Sequence, residues 1–166
     1  MKNLFTIKNI CIAGLLTALM FVIALFSSFI SSLFGKSIFQ VSDIVYLSIF
    51  VTTINPIINI IGAVLAGMLT DIYYGGFIYI PMTILVKILI GLIMIFLLKK
   101  IKIYYAIPVG YLPIFIYFFY SYFIYDISMA VVEAITDSIQ YGVTVVFSIA
   151  ITLTYDLKKL KLEKYS

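Results

Sequence analysis

The sequence predicts an all-α integral membrane protein with six transmembrane helices and both termini in the cytoplasm. Three observations carry that expectation. Of 166 residues, 64% are hydrophobic and only 11% charged, with a mean hydropathy of +1.22; a soluble domain of this length needs far more polar surface. The apolar runs reach or exceed the roughly 20 residues that cross the hydrocarbon of a bilayer as helix. All eleven basic residues are lysines, and most gather at the ends of these runs, where they report orientation. The net charge of +4 therefore marks cytoplasmic ends and not a nucleic-acid surface. The length suits one membrane domain over residues 1–166.

The first helix is expected over 10–34, behind Lys2 and Lys8. In charge and greasiness it resembles a signal sequence, but it is too long for an h-region and more spans follow. The next apolar run, 43–71, would be about 43 Å long as one helix, too long for a simple span. Asn55 and Pro56 lie in its middle. Proline lacks an amide donor and disfavours helix at the residue before it, so the run divides into helices at 43–54 and 56–72. Charge parity supports the division, because Lys99, Lys100 and Lys102 then follow four crossings and share a side with Lys2 and Lys8. Helices four, five and six are expected at 78–98, 104–125 and 127–155. The last is followed by Lys158, Lys159, Lys161 and Lys164. Outer loops fall at 35–42, at 73–77 and near Asp126.

Several charges lie inside these spans. At ~1.5 Å per residue, Asp71 stands about 22 Å above the Pro56 corner and Lys87 about 18 Å above Lys99. On the last helix Glu133, Asp137 and Gln140 follow i, i+4, i+7 spacing and share one face, which Thr144 and Ser148 continue inward. Charges at membrane depth cost ~2.5 to 3.5 kcal/mol each even on the lenient insertion scale, so they face a bundle interior or a wet cavity. The sequence thus predicts a polar cavity in the outer half, framed by Asp71 and Lys87 beneath the 73–77 loop. Two roles stand open for Lys87: ligand contact, or a structural ion pair with Asp71, Glu133 or Asp137. For Asp43 and Asp71, helix capping competes with ligand contact. The aromatics Phe39, Tyr73, Tyr74, Tyr79, Tyr120, Tyr122 and Tyr125 fit an interfacial belt, with stacking on a ligand as the alternative. For Thr144 and Ser148 the ordinary role is a bond back to their own helix.

Motifs for catalysis and metal binding are missing. FGKS, at 34–37, lacks the glycine that a phosphate-binding loop requires five residues earlier, where Ile30 stands. HExxH, CxxC and GxSxG do not occur, and there is no histidine; neither an enzyme nor a bound cofactor or metal is expected. The single Cys11 reads as a packing residue. Small residues four apart occur at Gly14 and Ala18, at Gly62 and Ala66, and at Ala63 and Gly67, a spacing that brings helices close in lipid. Packing within the chain is expected for the latter pairs. For helix one, docking to another membrane protein is the competing role.

Four stretches together resemble the substrate-binding S components of energy-coupling factor (ECF) vitamin transporters, in particular the riboflavin and hydroxymethylpyrimidine/pyridoxine branch. These are AGLLTAL at 13–19, FQVSDIVYL at 39–47, GMLTDIYYGGFIYIPMTILVKILIG at 67–91 and EAITDSIQ at 133–140. The resemblance implies a six-helix, non-catalytic protein of the bacterial plasma membrane that captures a vitamin from outside. It would dock through Ala13, Gly14 and Ala18 onto a shared transmembrane coupling subunit driven by two ATPase subunits. The binding set it implies is Gln40, Asp43, Asp71, Tyr79, Lys87, Glu133, Asp137 and Gln140. The chain departs from the family pattern at Ile90, where glutamate is usual, and at Ile135, Thr136 and Asp137, where Pro, Gly and Asn are usual; these changes bear on ligand identity. Three acids against one lysine repel an anion, so a neutral or cationic ring is expected, a pyrimidine or pyridine precursor before riboflavin. Two other classes stay open. A membrane scaffold of the cell-shape type would bind no small molecule, and a small ion-coupled carrier would transport without ATPases.

Overall fold

In the computed structural model, which describes residues 6–34 and 41–165 apart from the side chains of 28–34 and 156–165, Asn55 and Pro56 turn the chain as their chemistry requires. Asn55 is extended, with ψ 124°, and its side chain accepts from the Ile57 amide at 2.9 Å. Pro56 then occupies the first helical position, where its missing amide costs nothing. Every regular element among the described residues is helical. They are α1 (Ile7–Phe34), α2 (Ser42–Ser48), α3 (Pro56–Tyr73), α4 (Ile80–Leu98), α5 (Ile103–Gly110), α6 (Ile116–Ile124) and α7 (Ile127–Tyr165). Short 3₁₀ turns at Ile49–Val51, Phe77–Tyr79 and Leu112–Phe115 extend α2, lead into α4 and join α5 to α6.

Five stretches are long and apolar enough to cross a membrane: Ile7–Ser27, Pro56–Tyr73, Phe77–Leu98, Ile103–Ile124 and Ile127–Tyr155. Many large apolar side chains, among them Leu65, Leu92, Phe119 and Val146, point outward. Together they make the chain a multi-pass membrane protein. The helix expected over 43–54 is shorter than foreseen. Seven α residues and three 3₁₀ residues make about 15 Å of helix, half the hydrocarbon thickness. Its end is closed by Thr52, whose hydroxyl donates to the Ile49 carbonyl at 2.7 Å and accepts from the Ile54 amide at 3.3 Å. Such local bonds compete with helix continuation.

The stretch Ile103–Ile124 is broken as well. Pro108, Gly110 and Pro113 fall within one helical turn and a half, and two prolines remove two amide donors from the ladder. The chain tightens to 3₁₀ there, with the Ile114 amide bonded to the Tyr111 carbonyl at 3.2 Å. The carbonyl of Pro108 accepts instead from the Tyr141 hydroxyl of α7 at 2.9 Å. At the other extreme, α7 runs ten residues past its expected end at 155, because Leu, Lys and Glu in its tail are strong helix formers.

α1 and α3 run the same way. Gly62 sits against Leu16 and the Ala13 carbonyl, Thr17 reaches the Gly62 carbonyl at 3.3 Å, and further along both helices the rings of Phe21 and Tyr73 meet edge to face. α2 lies between them in the chain and packs against both. α4 folds back along α3, and α7 back along α6. Lys8, the Lys99–Lys102 corner and the lysines of the α7 tail consequently share one end. The turns at 74–79 and 125–126 share the other.

The apolar core centres on Tyr46, Leu47, Ile90, Met94, Ile107 and Tyr111, each fully enclosed. Gly91 permits the closest approach, since a Cβ there would fall within the Ile60 side chain and against the Tyr46 hydroxyl. At Gly14, on the exposed side of α1, a Cβ would meet nothing within 4 Å. Gly91→Ala is therefore expected to cost about 1–3 kcal/mol by overpacking and Gly14→Ala less than about 0.5 kcal/mol, read from denaturant unfolding in detergent. Equal stability of the two variants would contradict the packing described.

Candidate binding cavity

The two turns at the end opposite the clustered lysines are short and tied together. Gly75, at φ 73°, takes the left-handed conformation that lets α3 stop at once, and the Gly76 amide closes the turn on the Asp71 carbonyl at 2.7 Å. Asp126 caps α7 by accepting from the Met129 amide at 2.8 Å. Tyr120 donates to the Ile78 carbonyl, and the Tyr79 ring lies among those of Tyr117, Tyr120 and Tyr125.

Beneath these turns lies a buried polar knot in which four helices, α3, α4, α7 and the end of α5, close on α2. Lys87, two turns into α4, forms an ion pair with Asp43 at the start of α2. The other Asp43 oxygen accepts from the Tyr111 hydroxyl at 2.6 Å. Gln140 of α7 reaches the Tyr111 oxygen at 3.1 Å and the same Asp43 oxygen at 3.5 Å. Tyr46 donates to the Lys87 carbonyl at 2.8 Å, Asn59 donates to the Tyr46 carbonyl at 2.9 Å, and Ser148 donates to the Ile44 carbonyl at 3.3 Å. α2 is thus held by α3, α4, α5 and α7 through hydrogen bonds, which compensate for its small area.

Above the knot is a cavity of about 290 Å³. Asp43, Lys87 and Gln140 line its deep side; Asp71 and Thr83 line a second wall, Glu133, Thr136 and Asp137 a third, and Tyr74, Tyr79 and Tyr117 also face it. Tyr117 donates to the Thr83 hydroxyl at 2.9 Å. One oxygen of Asp71 and one of Asp137 are buried without a hydrogen-bond partner, and Asp137 as a residue is only 4% exposed. Lys87–Asp43 is the one ion pair among the described residues, and no cluster of three acids, cysteines or histidines there could hold a metal ion.

Seven of the eight residues expected to bind ligand line this one cavity: Asp43, Asp71, Tyr79, Lys87, Glu133, Asp137 and Gln140. Gln40, like Phe39, lies outside the described residues. Some expectations change. Lys87 pairs with Asp43 and not with Asp71, Glu133 or Asp137, because α2 starts deep enough to bring its first turn level with Lys87. Asp43 accordingly caps nothing. Ser148 bonds across to α2 and not back along its own helix. Ala13 turns its carbonyl to Thr17 and Gly62 within the chain, whereas Gly14 and Ala18 are exposed. Ile90 is fully buried in the apolar core.

Thr83, Tyr111 and Tyr117 were not anticipated. Thr83 had a signal: Tyr79, Thr83 and Lys87 are four apart and share a face of α4. Comparison with family models, with curated proteins and with solved structures gave no match.

Removing one member of a buried ion pair leaves the other charge uncompensated, at a cost of about 3–5 kcal/mol. Asp43→Asn and Lys87→Met are each expected to lower unfolding stability by that order, and the double variant by clearly less than the sum. Additive losses in a double-mutant cycle would show that the two residues are not coupled.

Proposed function

We propose that the chain is the substrate-binding membrane subunit of an ATP-driven uptake transporter of the ECF type. It captures a small neutral or cationic ring-bearing vitamin or precursor, of pyrimidine, pyridine or riboflavin type, from outside. The observation that carries this reading is the convergence of three separated stretches on one cavity. Residues of 39–47, 67–91 and 133–140, the segments that resemble the family, all contribute side chains to it. A ligand-binding role explains why polar groups so far apart in sequence meet where no lipid or apolar core requires them.

The remaining features fit the same reading. All the lysine-rich ends lie opposite the cavity, so the positive-inside rule directs its mouth outward and both termini into the cytoplasm of a bacterial-type plasma membrane. α2 and its flanks, between the parallel α1 and α3, are read as the second of six passes. The fourth family-like stretch, 13–19, leaves the cavity and presents Gly14 and Ala18 at the lipid-facing surface, where a coupling subunit served by two ATPases would dock. The protein then needs no catalytic residues or cofactor of its own.

Capture is tested by melting the detergent-purified chain with a panel of water-soluble vitamins and precursors, since a ligand of the folded state raises stability by mass action. One ring-bearing vitamin is expected to raise the melting temperature; a folded, ligand-free chain that responds to none would refute capture. Docking is tested separately with Gly14→Leu, which is expected to abolish uptake in cells while the vitamin affinity stays within about twofold. Parallel loss of binding and uptake would remove α1 as a docking face.

A further inference from the structure

Charge around the cavity does not balance. Asp43, Asp71, Glu133 and Asp137 line it together with a single cation, Lys87, and that cation is taken by Asp43 on the deep side. Asp71, Glu133 and Asp137 are left without a cationic partner among the described residues. Asp137 is the sharpest case, as its carboxylate lines the cavity, is almost fully enclosed and keeps one oxygen without a donor. A carboxylate held this way is worth its cost only if something brings it N–H or O–H groups.

The geometry narrows what that is. The acids sit on opposite walls, Asp71 on α3 and the Glu133/Asp137 pair one turn apart on α7, and no three of them converge as a metal ion would require. A point charge therefore does not suit the site, whereas a molecule with donors on two sides does. The cavity, about 290 Å³, has room for a small ring compound, and tyrosine rings near its mouth favour a cation over a neutral ligand of the same shape.

Resting on the capture reading above, we propose that the cavity selects an organic cation bearing N–H donors on two sides, of the amidinium, guanidinium or protonated aminoheterocycle class, with Asp137 and Asp71 as its opposing acceptors. Quaternary ammonium ions carry the charge without the donors and fit poorly. Charge-assisted hydrogen bonds supply the selectivity.

The test is binding of four matched probes, benzamidine, benzamide, benzoate and benzyltrimethylammonium, to the full chain in nanodiscs, read by calorimetry and thermal shift. Benzamidine is expected to bind at least about tenfold tighter than the other three, the span of one charge-assisted hydrogen bond. Asp137→Asn is expected to remove that preference while leaving the unliganded melting temperature equal or higher, because it relieves a buried unpaired carboxylate. Asp71→Asn serves as the second variant should the first fail to fold. Equal or tighter binding of benzamide, benzoate or benzyltrimethylammonium would overturn the cation proposal and leave capture standing, as would an undiminished preference in both variants. Failure of all four probes and of every vitamin to bind the folded chain would overturn both.

Discussion

The ion pair between Lys87 and Asp43 is the constraint on which the rest of the site depends. Two charges at this depth are tolerable only together and only with their remaining hydrogen-bonding capacity filled. Tyr111 and Gln140 fill it on the aspartate side. Satisfying that pair fixes how far α2 sinks into the bundle, since its first turn has to meet α4 two turns below the α3–α4 corner. A longer or shallower α2 would carry Asp43 past its partner. The short helix, the space above it and the four-helix knot are thus one solution to one electrostatic problem.

The same pair decides the character of the cavity. By taking up Lys87, Asp43 withdraws the one cation that the described residues place on the wall and leaves the acids on α3 and α7 to face an open volume. Had Lys87 reached across to Asp137 instead, Asp43 would have been the carboxylate left without a cation on the deep side. Tyr117 fixes the Thr83 hydroxyl on the wall that also carries Asp71, so part of that wall is oriented before any ligand arrives. The opposite wall is ordered by the continuous α7, which sets the spacing of Glu133 and Asp137 by helix geometry alone.

Much of this was legible in the sequence. Apolar run length gave the long helices, proline chemistry gave the corner at Asn55 and Pro56, and the i, i+4, i+7 pattern gave the polar face of α7. What escaped was decided by local bonds or by depth. Hydropathy is blind to the Thr52 side chain that ends α2 and to the lost amides at Pro108 and Pro113, so a half-length helix and a broken one both read as full spans. The partner of Lys87 could not be ranked among the acids without knowing where α2 starts. Tyr111 and Tyr117 were hidden by abundance, since a chain with fourteen tyrosines offers no reason to single out two. Their spacing is also scrambled by the 3₁₀ turn between them.

The short α2 has a consequence for how the protein is made. A helix of ten residues that opens with a carboxylate gains too little from lipid to leave the insertion machinery by itself. Its counter-ion is 44 residues downstream, and Tyr111 and Gln140 are synthesised later still. The polar groups of α2 are therefore satisfied only by residues translated long after it.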